Sequence, residues 1–343
     1  MSGPLQTEPL DGRPATAASR WVQGIGFAVG LLLLAWCVWL VAGDQARVEQ
    51  VKKLAQSPGT LATLLALSVG VSLCSGMMFH AIASPVARLP VPDVLAVNAV
   101  STLLNNLPFK MSVVARLYLH RTRNGMPVPL IFAWLGATLC VMAVGVLPPL
   151  VASLALKRVD AVWWGVVAAG TVLLAAATVA FGRLTRTERF WGWVSGMGER
   201  FPRTLGRLTR WSGYGQFRRG PEMLASPLAV AQGVAWRSLS MGFGVWRFAV
   251  AAAAVGATMT AGQCVVADSV YFAIQATAPT GALGAREGGT VAAIASLAGE
   301  SLPVVVLAVT AAETAANLLT AGVALLYLKL KRPVQKCTTG EPG

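Results

Sequence analysis

Six long apolar runs alternate with shorter polar segments along the 343 residues of the chain. The runs are residues 21–42, 60–83, 128–156, 161–181, 228–259 and 303–328. Each run has more than 20 residues, and an α-helix of about 20 residues is as long as the hydrocarbon core of a membrane is thick. The pattern therefore predicts an all-α, polytopic helical membrane protein.

Two further segments are apolar but broken. Residues 94–107 are interrupted by asparagines and followed by Pro108, and residues 264–299 contain a glycine-rich break at residues 277–289. In hydrocarbon a broken backbone is tolerated only where protein buries it or where it lines a polar cavity. We expect two re-entrant segments; if both instead cross fully, the number of transmembrane helices rises from about six to about eight.

The order of the runs suggests an inverted repeat. Each half of the predicted transmembrane domain (21–328), residues 21–156 and residues 161–328, has three apolar runs with one broken segment between the second and the third. Because three is odd, the two halves would cross the membrane in opposite directions. Transporters built from inverted repeats bind their substrates where such broken segments meet.

Charge adds an orientation and a class of partner. Hydrophobic residues make up 55% of the chain and charged residues 12%, with mean hydropathy +0.62 and a net charge of +14. The basic residues lie between the apolar runs, as in the cytoplasmic loops of membrane proteins. We expect three segments to lie in the cytoplasm: a disordered tail at 1–20, a basic amphipathic section at 183–226 and a tail at 329–343. We expect the partner of this positive charge to be anionic lipid rather than nucleic acid.

Catalytic and metal chemistry find little support in the sequence. The five cysteines have no metal-ligand spacing and there are two histidines, so we expect neither a metal nor a cofactor. The acidic residues that could act as a base are scattered: they are Asp268, Glu287, Glu300 and Glu313. An enzyme would require two of them to converge in the fold, and we therefore expect a protein that is not an enzyme.

The two broken segments carry the candidate substrate-binding residues. These are Lys110, Arg116, Pro279, Gly281, Gly284, Arg286 and Glu287. A lipid headgroup that crosses hydrocarbon needs cations to neutralise its phosphate, and Lys110, Arg116 and Arg286 supply them. Gly281 and Gly284 would let backbone N–H groups approach the anion closely.

Three more ionisable residues interrupt the last two apolar runs. Arg237 and Arg247 each follow a tryptophan in the fifth run, and Glu313 lies in the sixth. Charges within membrane helices are costly and are usually paired. We expect Glu313 to form an intramembrane ion pair with Arg237 or with Arg247, and the sequence leaves that choice open.

Two motifs resemble those of a known family. Residues 104–116 read Leu-Asn-Asn-Leu-Pro-Phe-Lys-Met-Ser-Val-Val-Ala-Arg, and residues 279–287 read Pro-Thr-Gly-Ala-Leu-Gly-Ala-Arg-Glu. Both are similar to motifs of the lysylphosphatidylglycerol synthase transmembrane family, the flippase-like domain, and the chain looks like a stand-alone member without the soluble aminoacyl transferase domain. The resemblance implies movement of lipids or lipid-linked headgroups between leaflets.

Three functions remain open at this point. The first is a flippase or transporter for an anionic lipid in the bacterial inner membrane. The second is a transferase that acts on lipid-linked substrates such as polyprenyl lipids, glycolipids or hopanoids. The third is a membrane subunit that holds a lipid-modifying partner enzyme, with section 183–226 as its docking surface. The oligomeric state does not follow from the sequence.

Overall fold

The computed structural model of the chain describes residues 17–107, 111–200, 206, 213–277, 284–298 and 302–331. Within these ranges the secondary structure is helical, without β-strands. The helices of the N-terminal half are α1 Ala17–Ala42, α2 Gln45–Ala55, α3 Pro58–Ala83, α4 Val91–Leu104, α5 Met111–Asn124 and α6 Val128–Leu156. The helices that follow are α7 Ala161–Thr185, α8 Glu188–Arg200, α9 Tyr214–Phe217, α10 Gly220–Ala225, α11 Pro227–Ala254, α12 Ala261–Thr277, α13 Ala285–Ala298 and α14 Pro303–Leu330.

The long helices coincide with the apolar runs. The six runs correspond to α1, α3, α6, α7, α11 and α14. In the described part of the chain, α3, α6, α7 and α14 are long and apolar enough to cross a membrane. The last part of α1 and helix α2 qualify as a fifth span if the pair, which bends by 96°, is counted as one. The protein is therefore a polytopic helical membrane protein, as the pattern predicted.

Several boundaries differ from the predicted ones for local reasons. Helix α1 begins at Ala17, so the last four residues of the tail predicted to be disordered (1–20) are helical instead. Helix α2 lies in the polar segment between the first two apolar runs, where the Asp44 side chain accepts a hydrogen bond from the Ala46 N–H and caps the helix. Helix α11 ends at Ala254, short of residue 259, because Gly256 adopts a left-handed φ of 72°. The Ala257 N–H then bonds back to the Ala252 carbonyl, a common helix ending.

Each broken segment forms a pair of short helices. We call α4 with α5 hairpin 1, and α12 with α13 hairpin 2. Hairpin 1 starts and ends at one end of α14: Asp93 binds the Lys331 ammonium at 3.0 Å, and Arg123 donates to the Lys331 carbonyl. Because the start of α4 and the end of α5 meet the same residue, hairpin 1 enters and leaves at the same end of the bundle.

Hairpin 2 approaches from the other end of α14. Cys264, near the start of α12, and Ile294, near the end of α13, are buried in one apolar cluster with Val304 at the start of α14. Val255, at the end of α11, belongs to the same cluster. The two hairpins therefore enter the bundle from opposite ends, as an inverted arrangement requires.

The two halves interlock through their long helices. Helix α3 lies antiparallel to α11, since Ser68 contacts Arg247 while Ile82, further along α3, meets Gly233, which comes earlier in α11. Hairpin 1 packs through α4 on α14, and hairpin 2 packs through α12 on α6. Each hairpin thus rests on the last long helix of the opposite half, which brings the two hairpin tips together.

The basic section 183–226 is described in part. It includes the end of α7 and helices α8, α9 and α10. Residues 201–205 and 207–212, where the sequence predicts part of a basic amphipathic helix, lie outside the described residues, as do residues 1–16 and 332–343 of the two predicted tails.

Candidate functional site

The tips of the two hairpins meet beside a cavity that polar and apolar side chains line together. The Asn105 side-chain amide in hairpin 1 donates to the Gln275 carbonyl of hairpin 2 at 3.1 Å. The cavity has a volume of about 180 Å³, enough for several water molecules. Its lining residues include Ser72, Asn98, Arg116, Phe272, Gln275 and Glu313. They come from both halves, so the cavity lies at the junction where the inverted arrangement predicts a binding site.

Arg116 supplies the cation in the cavity wall. It is buried, with 8% of its surface exposed. Its Nη2 donates to the Asn98 Oδ1 at 2.6 Å, and its guanidinium carbon lies 3.9 Å from the centre of the Phe79 ring. Within the described ranges no carboxylate oxygen lies within 4.0 Å of it, and its Nη1 has no hydrogen-bond partner. This guanidinium can accept an anion without first losing an ion pair.

Glu313 is bound by three donors from three helices. It accepts hydrogen bonds from Arg247 Nη1 at 2.8 Å, Arg286 Nη1 at 2.9 Å and Gln275 Nε2 at 2.8 Å. Of the two partners that the sequence left open, Arg247 is the one in contact with Glu313. The carboxylate links α14 to α11, α12 and α13, so it fastens hairpin 2 to the rest of the bundle.

Arg286 and Glu287 complete this network. The Arg286 Nε and Nη2 donate to one Glu287 oxygen at 3.0 and 2.9 Å, and both residues are fully buried. Thr310 donates to the same oxygen at 3.1 Å, while the second oxygen accepts the Gly284 N–H. Gly284 has a left-handed φ of 81°, which favours glycine. Each charge is thus matched by opposite charge and hydrogen bonds, as buried ions require.

Asp268 adds a third carboxylate next to Arg247. Its Oδ1 lies 4.0 Å from the Arg247 Nη2. A side chain at Gly244 would place its Cβ 2.0 Å from the same oxygen. Gly244 is therefore required for the close approach of the Asp268 carboxylate to α11.

Arg237 forms no close ion pair, although the Asp268 carboxylate attracts its charge from a longer distance. Its guanidinium carbon is 3.6 Å from the centre of the Phe272 ring, and its Nη1 lies 3.5 Å from the Ser240 hydroxyl. No carboxylate oxygen of a described residue comes within 4.0 Å of it. The sequence left open a pair between Arg237 and Glu313, and the fold does not form it.

The predicted site residues fall into three groups. Lys110, Pro279 and Gly281 lie outside the described residues, as does Glu300. Gly284, Arg286 and Glu287 join Glu313 in the ion-pair network. Of the predicted binding cations that the structure describes, Arg116 lines the cavity and Arg286 does not. In the part of the chain that is described, no group of three or more His, Cys, Asp or Glu side chains could hold a metal ion.

Sequence reasoning missed much of the cavity wall. Gln275, which joins Glu313 to the tip of hairpin 1, was not singled out. Ser68, Ser72 and Ser75 of α3 also line the cavity. Their spacing of four and three residues places the hydroxyls on one helical face, and this signal was available in the second apolar run.

Comparisons with known proteins support the assignment that the two motifs suggested. No curated protein and no solved structure gave a significant match. The family model described as the lysylphosphatidylglycerol synthase TM region matches residues 26–323, which is most of the chain and includes both hairpins. The chain belongs to the lysylphosphatidylglycerol synthase TM region family.

Proposed function

We propose that the protein moves an anionic lipid, or an anionic lipid-linked headgroup, between the two leaflets of the bacterial inner membrane. One observation carries the proposal: a cavity with polar lining residues, between the tips of two oppositely entering hairpins, contains Arg116, a buried cation without a carboxylate partner among the described residues. Buried ionisable groups in membrane proteins are costly and commonly serve substrate pathways.

In this proposal the cavity replaces part of the hydration of the headgroup. The Arg116 guanidinium neutralises the phosphate through charge-assisted hydrogen bonds. Asn98 holds Arg116 in place through its Oδ1, and the hydroxyls of Ser72 and Ser75 offer further hydrogen bonds. The acyl chains remain in the surrounding hydrocarbon while the headgroup crosses.

Alternating access would come from movement of the two halves against each other. The tips are joined through the hydrogen bond from the Asn105 side chain to the Gln275 carbonyl. Hairpin 1 is bound to α14 at one end of the bundle through Lys331, and hairpin 2 at the other end through buried apolar contacts. Opening one hairpin at a time would expose the cavity to one leaflet at a time.

The distribution of basic residues supports a cytoplasmic position for one end of the bundle. Pro85, Arg186 and Ser226 lie around one pocket, so the two longest basic segments meet there. The segment 84–127 also binds Lys331 through Arg123. Because positive charge marks cytoplasmic loops, we place this end, with both chain termini, in the cytoplasm.

Exchange of labelled lipids between leaflets tests the proposal. Purified protein is reconstituted in vesicles that contain trace amounts of fluorescent phosphatidylglycerol or polyprenyl phosphate, and the accessible label is quenched from outside. We expect exchange above the rate of empty vesicles, and we expect Arg116→Gln to lower it by about tenfold or more, the effect of losing a charge-assisted hydrogen bond.

Arg121→Gln is the matched control, since Arg121 lies on the same helix and is exposed. It should leave exchange unchanged. Folded native protein that exchanges none of the lipids would contradict the proposal, and equal loss in both variants would point to a change in surface charge instead of a site.

A transferase acting on lipid-linked substrates is the second candidate. The observation in its favour is that Glu287 and Glu313 both contact Arg286, so two carboxylates do converge. Against a role as general base, both are already bound by arginines. Mass spectrometry of the lipids after incubation with a lipid-linked donor would distinguish the two functions, because a transferase changes the mass of a lipid and a transporter does not.

A further inference from the structure

Arg237 is a buried cation that has no described carboxylate oxygen within 4.0 Å and does not line the cavity, although the Asp268 carboxylate attracts it from a longer distance. Only 2% of its surface is exposed. Its Nε and Nη2 have no hydrogen-bond partner, and its Nη1 has a single long contact with the Ser240 hydroxyl at 3.5 Å. Two guanidinium nitrogens without hydrogen-bond acceptors are costly inside a membrane protein, so a structural role alone does not account for them.

The fold makes room for this side chain. A Cβ added at Gly145 of α6 would lie 2.5 Å from the Arg237 Cγ. On the other side, the guanidinium stacks on the Phe272 ring at 3.6 Å. Gly145 and the Phe272 ring, which come from two different helices, therefore hold the Arg237 side chain in one position.

The site lies next to the cavity. Leu139 and Met142 of α6 line the cavity, and Gly145 follows Met142 by one helical turn. Since α-helices rise 1.5 Å per residue, Arg237 contacts α6 about 5 Å beyond the cavity wall. Phe272 lines the cavity and also stacks on Arg237, so its ring separates the cavity from the guanidinium.

Arg237 and Arg116 have matching surroundings. Each guanidinium stacks on a phenylalanine that lines the cavity, Arg116 on Phe79 at 3.9 Å and Arg237 on Phe272 at 3.6 Å. Arg116 belongs to the first half of the chain and Arg237 to the second. Each half of the chain therefore contributes one such cation: Arg116 lines the cavity, and Arg237 lies behind Phe272.

We propose that Arg237 is a second anion site, which receives the phosphate of the lipid headgroup after Arg116 when Phe272 moves aside. This inference rests on the proposed function and extends it from one binding cation to a path of two. The ligand class is a phosphate monoester or diester, recognised by the free Nε–H and Nη2–H groups of the guanidinium.

Two substitutions at Arg237 separate function from packing. Arg237→Met keeps an unbranched apolar side chain against Phe272 but removes the charge, and Arg237→Lys keeps a charge. Exchange of fluorescent phosphatidylglycerol in vesicles and the melting temperature are measured on the same preparations. We expect Arg237→Met to lower the maximal exchange rate about tenfold without lowering the melting temperature, and Arg237→Lys to stay within about threefold of the native rate.

Gly145→Ala moves Arg237 without changing its charge. The added methyl group must displace the Arg237 side chain, whereas Gly136→Ala, on the same helix, meets no atom within 4 Å. We expect slower exchange in Gly145→Ala and a native rate in Gly136→Ala.

The outcomes distinguish this inference from the proposed function. Loss of exchange in Arg116→Gln with a native rate in Arg237→Met would overturn the second site and leave the proposed function standing. A lower melting temperature in Arg237→Met would assign Arg237 to packing and also overturn the inference. Native protein without exchange activity would overturn both.

Discussion

The buried arginines of this protein occur in two contrasting environments. Arg247 and Arg286 each bind the Glu313 carboxylate, at 2.8 and 2.9 Å, and Arg286 also binds Glu287. Arg116 and Arg237 instead stack on phenylalanine rings and have no carboxylate oxygen within 4.0 Å among the described residues. All four side chains are inside the helical bundle.

The contrast indicates which charges hold the fold and which are available to a ligand. A buried charge with a matched partner contributes to structure, and removal of one partner leaves the other uncompensated. An unmatched buried charge lowers stability and persists where function needs it. In this protein the matched arginines fasten hairpin 2, and the unmatched ones lie at or next to the cavity.

The strongest test of the structural pair is Glu313→Leu. Loss of this carboxylate leaves Arg247 without its close partner and Gln275 without an acceptor. We expect the free energy of unfolding to fall by about 3–5 kcal/mol, the usual cost of breaking a buried ion pair. Thermal melting in detergent measures the change.

Glu49→Leu provides the comparison for Glu313. Glu49 pairs with Lys52 at 2.9 Å, but both side chains are 60% exposed. Such a surface pair contributes about 0–1 kcal/mol, so this variant should melt near the native temperature. Equal melting temperatures for the two variants would show that the buried Glu313 network contributes no more to stability than the exposed pair.

A smaller effect is expected at Gly244. Its replacement by alanine forces a methyl group against the Asp268 carboxylate, which would lie 2.0 Å from the new Cβ. We expect a loss of about 1–3 kcal/mol from overpacking. In Gly242→Ala, on the same helix with no atom within 4 Å of the new Cβ, helix propensity should leave stability unchanged or slightly higher. A Gly244 variant as stable as this control would contradict the placement of Asp268.

The smallest effect is expected at Asp93, in the first turn of hairpin 1. Asp93 binds Lys331 at 3.0 Å, and the Lys331 side chain is 36% exposed. The Asp93 carboxylate is buried and also accepts a hydrogen bond from the Tyr327 hydroxyl at 2.8 Å. Because an asparagine oxygen can still accept both hydrogen bonds, Asp93→Asn should lower the stability less than Gly244→Ala does. The difference from native protein should shrink at high salt, since the Lys331 ammonium is partly exposed and its charge is screened. A difference that is independent of salt would argue against a contribution of the ion pair.

Much of the fold followed from the sequence because apolar length is a strong signal in membrane proteins. The long helices coincide with the predicted runs, and both broken segments are helical hairpins. The end of α11 was placed wrongly because residues 255–259 are apolar enough to continue a helix, while the left-handed turn at Gly256 stops it.

The candidate site was less predictable because its contacts join distant parts of the chain. The pairing of Glu313 with Arg247 rather than with Arg237 depends on how α11 rotates against α3 and α12, which no local pattern encodes. Arg286 and Glu287 were found because charges stand out in an apolar sequence. Gln275 was missed because a neutral side chain near the end of a helix carries no comparable signal.

The most direct test of the contrast is the melting temperature of four variants in which each buried arginine is replaced by methionine. Arg286→Met and Arg247→Met should melt well below the native protein, because each leaves Glu313 with one arginine fewer. Arg116→Met and Arg237→Met should melt at the native temperature or above, because each removes a buried charge that has no carboxylate oxygen of a described residue within 4.0 Å. A uniform decrease in all four variants would contradict the division into structural and ligand-binding arginines.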